Sequence, residues 1–472
     1  MKSQGLKINS FGIVLIVLGT ILTLYVANSL LTALSFVSIS IMYRLLWRKG
    51  EVPILFFCLS FQWLQAVTKV FQANMVGRSL AEYQGSIYAT QAIACAIIGL
   101  IAITVAIHLV IRNVPIDANR IFSDAERFDP KKTFFVYIVL FAVSPVLHTL
   151  ARGGIAQILL AILDVKWILY SILIYTVLIQ KREYRFLAIA FSLEFISGFT
   201  GFFSSFKEVI FITAIIYFTV NSTVSFKQAF FFIPIIVLLG YLFVIWTGIK
   251  GEYRSFLNQG SNTQAVRVSK AESLEKLVTL FNGFDKRMVP EVSERALDRL
   301  AYTDMLTYCM EYIPHIQSHE GGKLWVENIQ HVLMPRALFP NKPILDDSEI
   351  ANRYTGRVFS GMERGTSISI GYFAESYVDF GFGMFIPLFC LGLFAGFIYR
   401  FFLKHSQNSV ITNAILIAIF TNFYLFEKAA NKILGSVIMT SIVFFFVLIP
   451  YVIPYLKAKI LKREDTAHHA CV

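Results

Sequence analysis

Apolar runs long enough to cross a bilayer recur along this chain, and they constrain its fold more than any other feature. A spanning helix needs about 20 predominantly apolar residues. Window reading finds about twelve such runs, at 10–27, 29–46, 52–72, 87–111, 133–150, 163–180, 186–204, 208–222, 228–248, 380–403, 409–426 and 433–456. The runs are continuous and do not alternate as the strands of a closed barrel would, so helices remain the way to satisfy every backbone N–H and C=O in lipid. Only 15% of the 472 residues are charged, against about a quarter in a soluble domain. The expected fold is an all-α polytopic membrane protein. The first run, Phe11 through Trp47, lacks a small-residue cleavage pattern and reads as a helical hairpin turning near Asn28 and Ser29, not as a removed signal.

Charge orients the spans. Lys2, Lys7, Arg44, Arg48, Lys49, the 112–132 stretch, KREYR (181–185), Lys227, Arg400, Lys404 and the basic tail from Lys457 fall on alternate connections. The positive-inside rule assigns these, with both termini, to the cytoplasm. Residues 249–369 are then extracytoplasmic. That segment holds 15 Lys and Arg against 15 Asp and Glu, so the whole net charge of +12 comes from the remainder. The basic balance is an orientation signal and needs no nucleic-acid partner. Five scattered cysteines imply neither a disulfide framework nor a metal cluster.

The chain thus divides into 1–248 with nine spans, a loop subdomain at 249–369, and 370–472 with three spans and a tail. The loop is too long and too patterned for a connector. Apolar residues recur at helical spacing from Thr263 to Phe281 and from Glu291 to Tyr312. Leu324–Leu333 reads as a third helix closed by Pro335, and Asp346 with Glu349 reads as the start of a fourth.

Four stretches carry candidate chemistry. In VLMPRALFPNKP (332–343), prolines pre-order a backbone that presents Arg336 and Lys342, and guanidinium groups bind phosphate bidentately. Arg353, Arg357 and Arg364 follow, although Glu349–Arg353 is also an ordinary i,i+4 pair. In GTSISIGYFAESYVDFGFG (365–383), Glu375 and Asp379 share a helix face at the water–membrane boundary, where a carboxylate is suited to take a proton from a sugar hydroxyl. Tyr372 and Tyr377 there also suit an aromatic belt. Lys250 and Arg254 in GIKGEYRSF (248–256) and Arg152 in ARGG (151–154) sit at span ends, placed for a lipid headgroup or for snorkelling. Before Ile155–Leu163 the chain is expected to turn into a short re-entrant or interfacial helix. Finally, Glu194, Lys207 and Glu208 lie in or beside spans, where charge is costly and usually faces a cavity, although a Lys207–Glu194 pair would also serve a purely structural role. His315, His319 and His331 are too irregularly spaced for zinc, with His331 nearest the prolines as a possible lone base.

IPHIQSHEGGKLW (313–325), HVLMPRALFPNKP (331–343) and TSISIGYFAESYVDFG (366–381) together resemble the Wzy-type oligosaccharide repeat-unit polymerases, the O-antigen polymerase family. The family commonly shows a helix-terminating Pro-Arg, an aromatic-Pro-x-Lys-Pro turn, a Thr-Ser pair and a Glu-x-Tyr-x-x-Phe-Gly start to a span. The Arg-x10-Gly repeat described for some members occurs nowhere here, so no role is carried through it. The resemblance implies a fold like that of the lipid-sugar-using (GT-C-like) glycosyltransferases and a place in the bacterial cytoplasmic membrane. It implies polyprenyl-diphosphate-linked oligosaccharides as substrates, no cofactor or metal, and a flippase and a chain-length regulator as pathway partners. Under it Arg336 meets the diphosphate with Arg254 and Arg152 as second cations, and Glu375 is the base. Lys342, Arg353 and Tyr377 hold the glycan, and Glu194 and Lys207 line a cavity. A ligase-like transferase shares topology and donor, while a transporter would show paired repeats, which the sequence lacks.

Overall fold

A computed structural model describes residues 19, 21, 23, 26–151, 156–201, 206–221, 226–261, 266–336, 338–343, 345–361, 366–405 and 408–462. Most of the 10–27 window, Arg152, Arg364 and the tail beyond 462 lie outside the described residues. The helices are α1 (Ser29–Leu46), α2 (Ile54–Met75), α3 (Leu80–Gln84), α4 (Ala89–Ile111), α5 (Arg120–Glu126), α6 (Pro130–Leu150), α7 (Ala156–Leu163) and α8 (Val165–Gln180). There follow α9 (Tyr184–Phe199), α10 (Phe206–Val220), α11 (Phe226–Leu257), α12 (Lys270–Asn282), α13 (Val289–Leu300), α14 (Asp304–Tyr312), α15 (Lys323–Leu333) and α16 (Asp347–Thr355). The chain ends with α17 (Gly371–Phe380), α18 (Phe385–His405), α19 (Ser409–Phe420), α20 (Ala430–Val443) and α21 (Ile453–Ile460). Among the described residues the one β contact is an isolated bridge between Phe128 and Leu461.

Among the described residues eight helical segments are long and apolar enough to cross a membrane: Ser29–Leu46, Ile54–Met75, Ala89–Ile111, Pro130–Leu150, Ala156–Gln180, Ile233–Leu257, Gly371–His405 and Ala430–Ile460. The protein is helical and membrane-associated. The windows at 186–204, 208–222 and 409–426 correspond to α9, α10 and α19, of 16, 15 and 12 residues. At 1.5 Å per residue, 16 residues reach about 24 Å, less than the hydrocarbon thickness of about 30 Å. The stretch expected to form a short re-entrant or interfacial helix is α7, which instead runs into α8 through Asp164 as one apolar segment, Ala156–Gln180.

The centre of the bundle is α8 against α19, both buried along nearly their whole lengths. Helices α4 and α18 approach closest through glycine. A Cβ on Gly392 would meet the Ile103 carbonyl oxygen at 2.6 Å, and one on Gly396 the Val110 Cβ at 3.0 Å. Lipid gives no hydrophobic drive between helices, so small residues that let backbones close up supply the packing.

Two glutamines of α2 then fix the turn between α19 and α20. Gln62 Nε2 donates to the Phe423 carbonyl at 2.6 Å and Gln65 Nε2 to Glu427 at 2.9 Å, while Phe426 N donates to Gln65 Oε1 at 2.9 Å. Tyr372 N donates to the Lys428 carbonyl at 2.9 Å, tying the same turn to α17. Gly371 takes φ +81 there and would place a Cβ 2.7 Å from the Phe426 oxygen, so a side chain is excluded twice over.

In the 249–369 segment, helices form where apolar spacing predicts them. Ser269 and Glu272 close a capping box on α12. The second stretch is two helices, α13 and α14, because Ala301 at the end of α13 is extended. Asp346 caps α16 through Ser348 N at 2.9 Å, while Glu349 turns to Arg353 at 4.0 Å and leaves the box open.

Candidate functional site

The site begins with how α15 is held. Asp379 of α17 accepts from Leu324 N at 3.0 Å and Trp325 N at 2.8 Å. A carboxylate there satisfies N–H groups that a first turn leaves unpaired, at the positive end of the helix dipole. One turn earlier Ser376 Oγ accepts from Trp325 Nε1 at 3.1 Å, and Glu375 Oε2 accepts from Asn328 Nδ2 at 3.1 Å. Glu375 and Asp379 do share a helix face, and that face grips α15. Glu375 Oε2 also accepts from Ala430 N, the first residue of α20, at 2.9 Å. One buried carboxylate therefore fixes α15 and α20 relative to each other.

At its far end α15 delivers the proline turn. Lys342 Nζ donates to the carbonyls of His331 at 2.6 Å and Met334 at 2.9 Å, which the helix end leaves without partners. Arg336 Nη1 donates to the Lys342 carbonyl at 3.1 Å and Nη2 to that of Pro343 at 3.4 Å. The turn is closed by its own two cations. A guanidinium carries five donors, so most of those of Arg336 stay available, and among the described residues it forms no ion pair.

A cavity of about 540 Å³ opens beside this turn. The turn contributes Arg336, Lys342 and His331. The ends of α6, α8 and α20 contribute His148, Lys166 and Lys432, the links beside them contribute Asp164 and Asn422, and the start of α16 contributes Asp347. Four cations thus face two carboxylates. Lys432 pairs with Asp347, whose Oδ2 also accepts from Ser367 at 3.0 Å. Lys166 pairs with Glu194 at 2.9 Å and lies 4.5 Å above the Trp167 ring centroid. Asn431 lines the same space at 8% exposure, and its Oδ1 has no partner among the described residues. A buried acceptor without a donor is costly, and its position suits a ligand that brings one. Burial first, then the charges of Lys342 and Arg336, hold the His331 imidazole below its ordinary pKa. Burial and Arg336 likewise lower that of Lys342. Among the described residues no group of three acidic, His or Cys side chains could hold a metal ion.

The sequence candidates separate on this geometry. Arg336 and Lys342 line the cavity, but Glu375 does not, because its carboxylate is spent on Asn328 and Ala430. Tyr377 is buried, with its hydroxyl on the Ile313 carbonyl at 3.2 Å and its ring against His319. Arg353 is exposed beside Glu349, and Arg357 stacks on Tyr308 at 3.5 Å. Glu194 reaches the cavity wall through Lys166 and also accepts from Tyr137 Oη at 2.9 Å, so Lys166 takes the place expected of Lys207. Lys207 instead sits 5.4 Å over the Phe243 ring, within electrostatic reach of Glu427 and Arg254, and neither it nor Arg254 lines the cavity. Arg152 and Arg364 lie outside the described residues.

Sequence reasoning passed over Asp164, Lys166, Asn431 and Lys432. The signal was present in the first two, since two ionisable residues interrupt the apolar ILDVKWIL, and such residues default to a functional reading.

A family model described as a domain of unknown function, DUF8712, matches residues 53–463, and the chain belongs to that family. No curated protein and no solved structure matches it.

Proposed function

We propose that this DUF8712 member is a membrane glycosyltransferase that polymerises polyprenyl-diphosphate-linked oligosaccharide repeat units, as the Wzy-type enzymes it resembles do. One observation carries this: a cavity where Arg336 and Lys342 of the proline turn converge with Lys166 and Lys432 of the apolar segments Ala156–Gln180 and Ala430–Ile460. Fixed cations of this kind suit a diphosphate. The unpartnered Asn431 Oδ1 and the amide of Asn422 suit sugar hydroxyls.

In the reaction an acceptor hydroxyl oxygen forms a bond to the anomeric carbon while the bond from that carbon to the diphosphate oxygen breaks. The electron pair leaves on the diphosphate, where Arg336, Lys342 and Lys432 stabilise the developing charge without reorganising. The hydroxyl proton goes to His331, whose ring has no hydrogen-bond partner among the described residues and is kept neutral, hence able to accept, by burial and neighbouring cations. Glu375 acts as a positioning residue through α15 and α20.

In this proposal residues 249–369 lie on the outer face of the bacterial cytoplasmic membrane, about twelve spans place both termini inside, and the architecture is GT-C-like. A flippase supplies the substrate, and a chain-length regulator acts on the product.

The test is incubation of the purified protein in vesicles with a polyprenyl-diphosphate repeat unit. A glycan ladder with release of polyprenyl diphosphate is expected. Transfer of preformed glycan to a different lipid acceptor without a ladder would favour a ligase, and flux of intact lipid-linked glycan would favour a transporter.

A further inference from the structure

Helix α15 has three faces. Leu324, Trp325 and Asn328 are buried against α17. Lys323, Glu327 and Gln330 are exposed and polar. Between these lie Val326 (53% exposed), Ile329 (43%) and Leu333 (67%), at helical i, i+3, i+7 spacing, and Leu338 (75%) extends the stripe into the proline turn. A contiguous exposed apolar stripe on a segment outside the spans needs an occupant.

Depth identifies it. A Cβ on Gly435 would lie 3.6 Å from Val332 Cγ2, an ordinary packing contact. Gly435 is five residues inside α20, so the end of α15 packs about 7.5 Å along that helix from its start. Helix α7 packs on the same α20, and its Ile158, which does not line the cavity, is exposed as well. The α15 stripe therefore sits on a helix that packs directly against the apolar segment Ala430–Ile460, as α7 does. A helix with apolar and charged faces at that depth fits the headgroup–acyl boundary.

We infer that the Val326–Ile329–Leu333–Leu338 stripe is covered by the acyl chains of the surrounding leaflet, so that α15 and its turn form an interfacial lip and Arg336 and Lys342 stand at headgroup level. An amphipathic lipid then reaches the cavity sideways, its chain in the leaflet and its polar end on the cations. The lip goes beyond the proposed reaction and stands whether or not glycosyl transfer does.

The test is a nitroxide attached in turn to Ile329→Cys, Leu338→Cys and Val358→Cys, in a chain carrying Cys390→Ser and Cys471→Ser, reconstituted in phosphatidylcholine–phosphatidylglycerol vesicles. Val358, 96% exposed elsewhere on the segment, serves as the aqueous reference. At 329 and 338 relaxation by oxygen should exceed relaxation by a water-soluble nickel chelate, with the order reversed at 358. Nickel-dominated relaxation at all three positions overturns the inference. So does dipolar broadening at 329 and 338, which means a second copy covers the stripe, and so does protection from both relaxants, which means a protein segment does.

Discussion

Removing the Arg336 charge is the perturbation with the clearest expected size. The guanidinium spends two hydrogen bonds on the Lys342 and Pro343 carbonyls at 3.1 and 3.4 Å and has no carboxylate partner among the described residues. Its charge is thus uncompensated at the cavity wall. Deleting one preorganised donor from a developing oxyanion costs about 2.7–4 kcal/mol, about 10²–10³ in kcat. Arg336→Gln should lose that much in initial rate of ladder formation from a polyprenyl-diphosphate repeat unit. Arg336→Lys should recover part of it, keeping the charge and losing the bidentate fork. A merely structural brace behaves otherwise, because its loss would lower the melting temperature along with the rate. Wild-type rates in Arg336→Gln, with an unchanged melting temperature, would refute the diphosphate role.

Other consequences are open to measurement. His331→Gln should lower kcat by about 10²–10⁴. In the parent protein the acidic limb of the kcat/KM–pH profile should fall below the ordinary histidine value, because a lowered pKa leaves the base neutral and active to more acid pH. Raising the limb is the expected result of Arg336→Gln, since one of the charges that oppose protonation is gone; an unmoved limb would place the base elsewhere. Glu375→Gln keeps an acceptor for Ala430 N and should retain rates within about tenfold, whereas Glu375→Ala leaves buried donors unpaired and should cost about 1–3 kcal/mol in a denaturation experiment. A hundredfold loss in the glutamine variant at unchanged stability would make Glu375 a catalytic base after all. Gly392→Leu, driven into the Ile103 carbonyl, should destabilise the α4–α18 pair by about 1–3 kcal/mol in thermal melts, and an unchanged melt would contradict the packing account.

The helical class was legible because continuous apolar runs leave a chain few options in lipid. The cationic turn was legible too, since three prolines around Arg336 and Lys342 announce a rigid display, and the cavity indeed opens there. Glu375 was harder. Its position at a span boundary is visible in the sequence, but its partner Ala430 is 55 residues away and Asn328 is 47 residues away on the other side. Whether a boundary carboxylate caps a helix or faces substrate depends on tertiary placement alone. The Glu194 pairing failed for a related reason. Lys207 and Lys166 are both plausible neighbours by chain distance, and only the packing of α9 against α8 selects Lys166 at 2.9 Å. Lys432 hides at the head of an apolar run, where it reads as a flanking charge, and only the fold turns it toward Asp347.

Equilibrium binding tests the cationic cavity most directly. Purified protein should bind a polyprenyl diphosphate saturably and more tightly than the corresponding polyprenol, with the preference weakened by salt and lost in a chain carrying Arg336→Gln and Lys432→Gln. Equal affinity for the charged and the neutral lipid, or a preference that survives both substitutions, would contradict it.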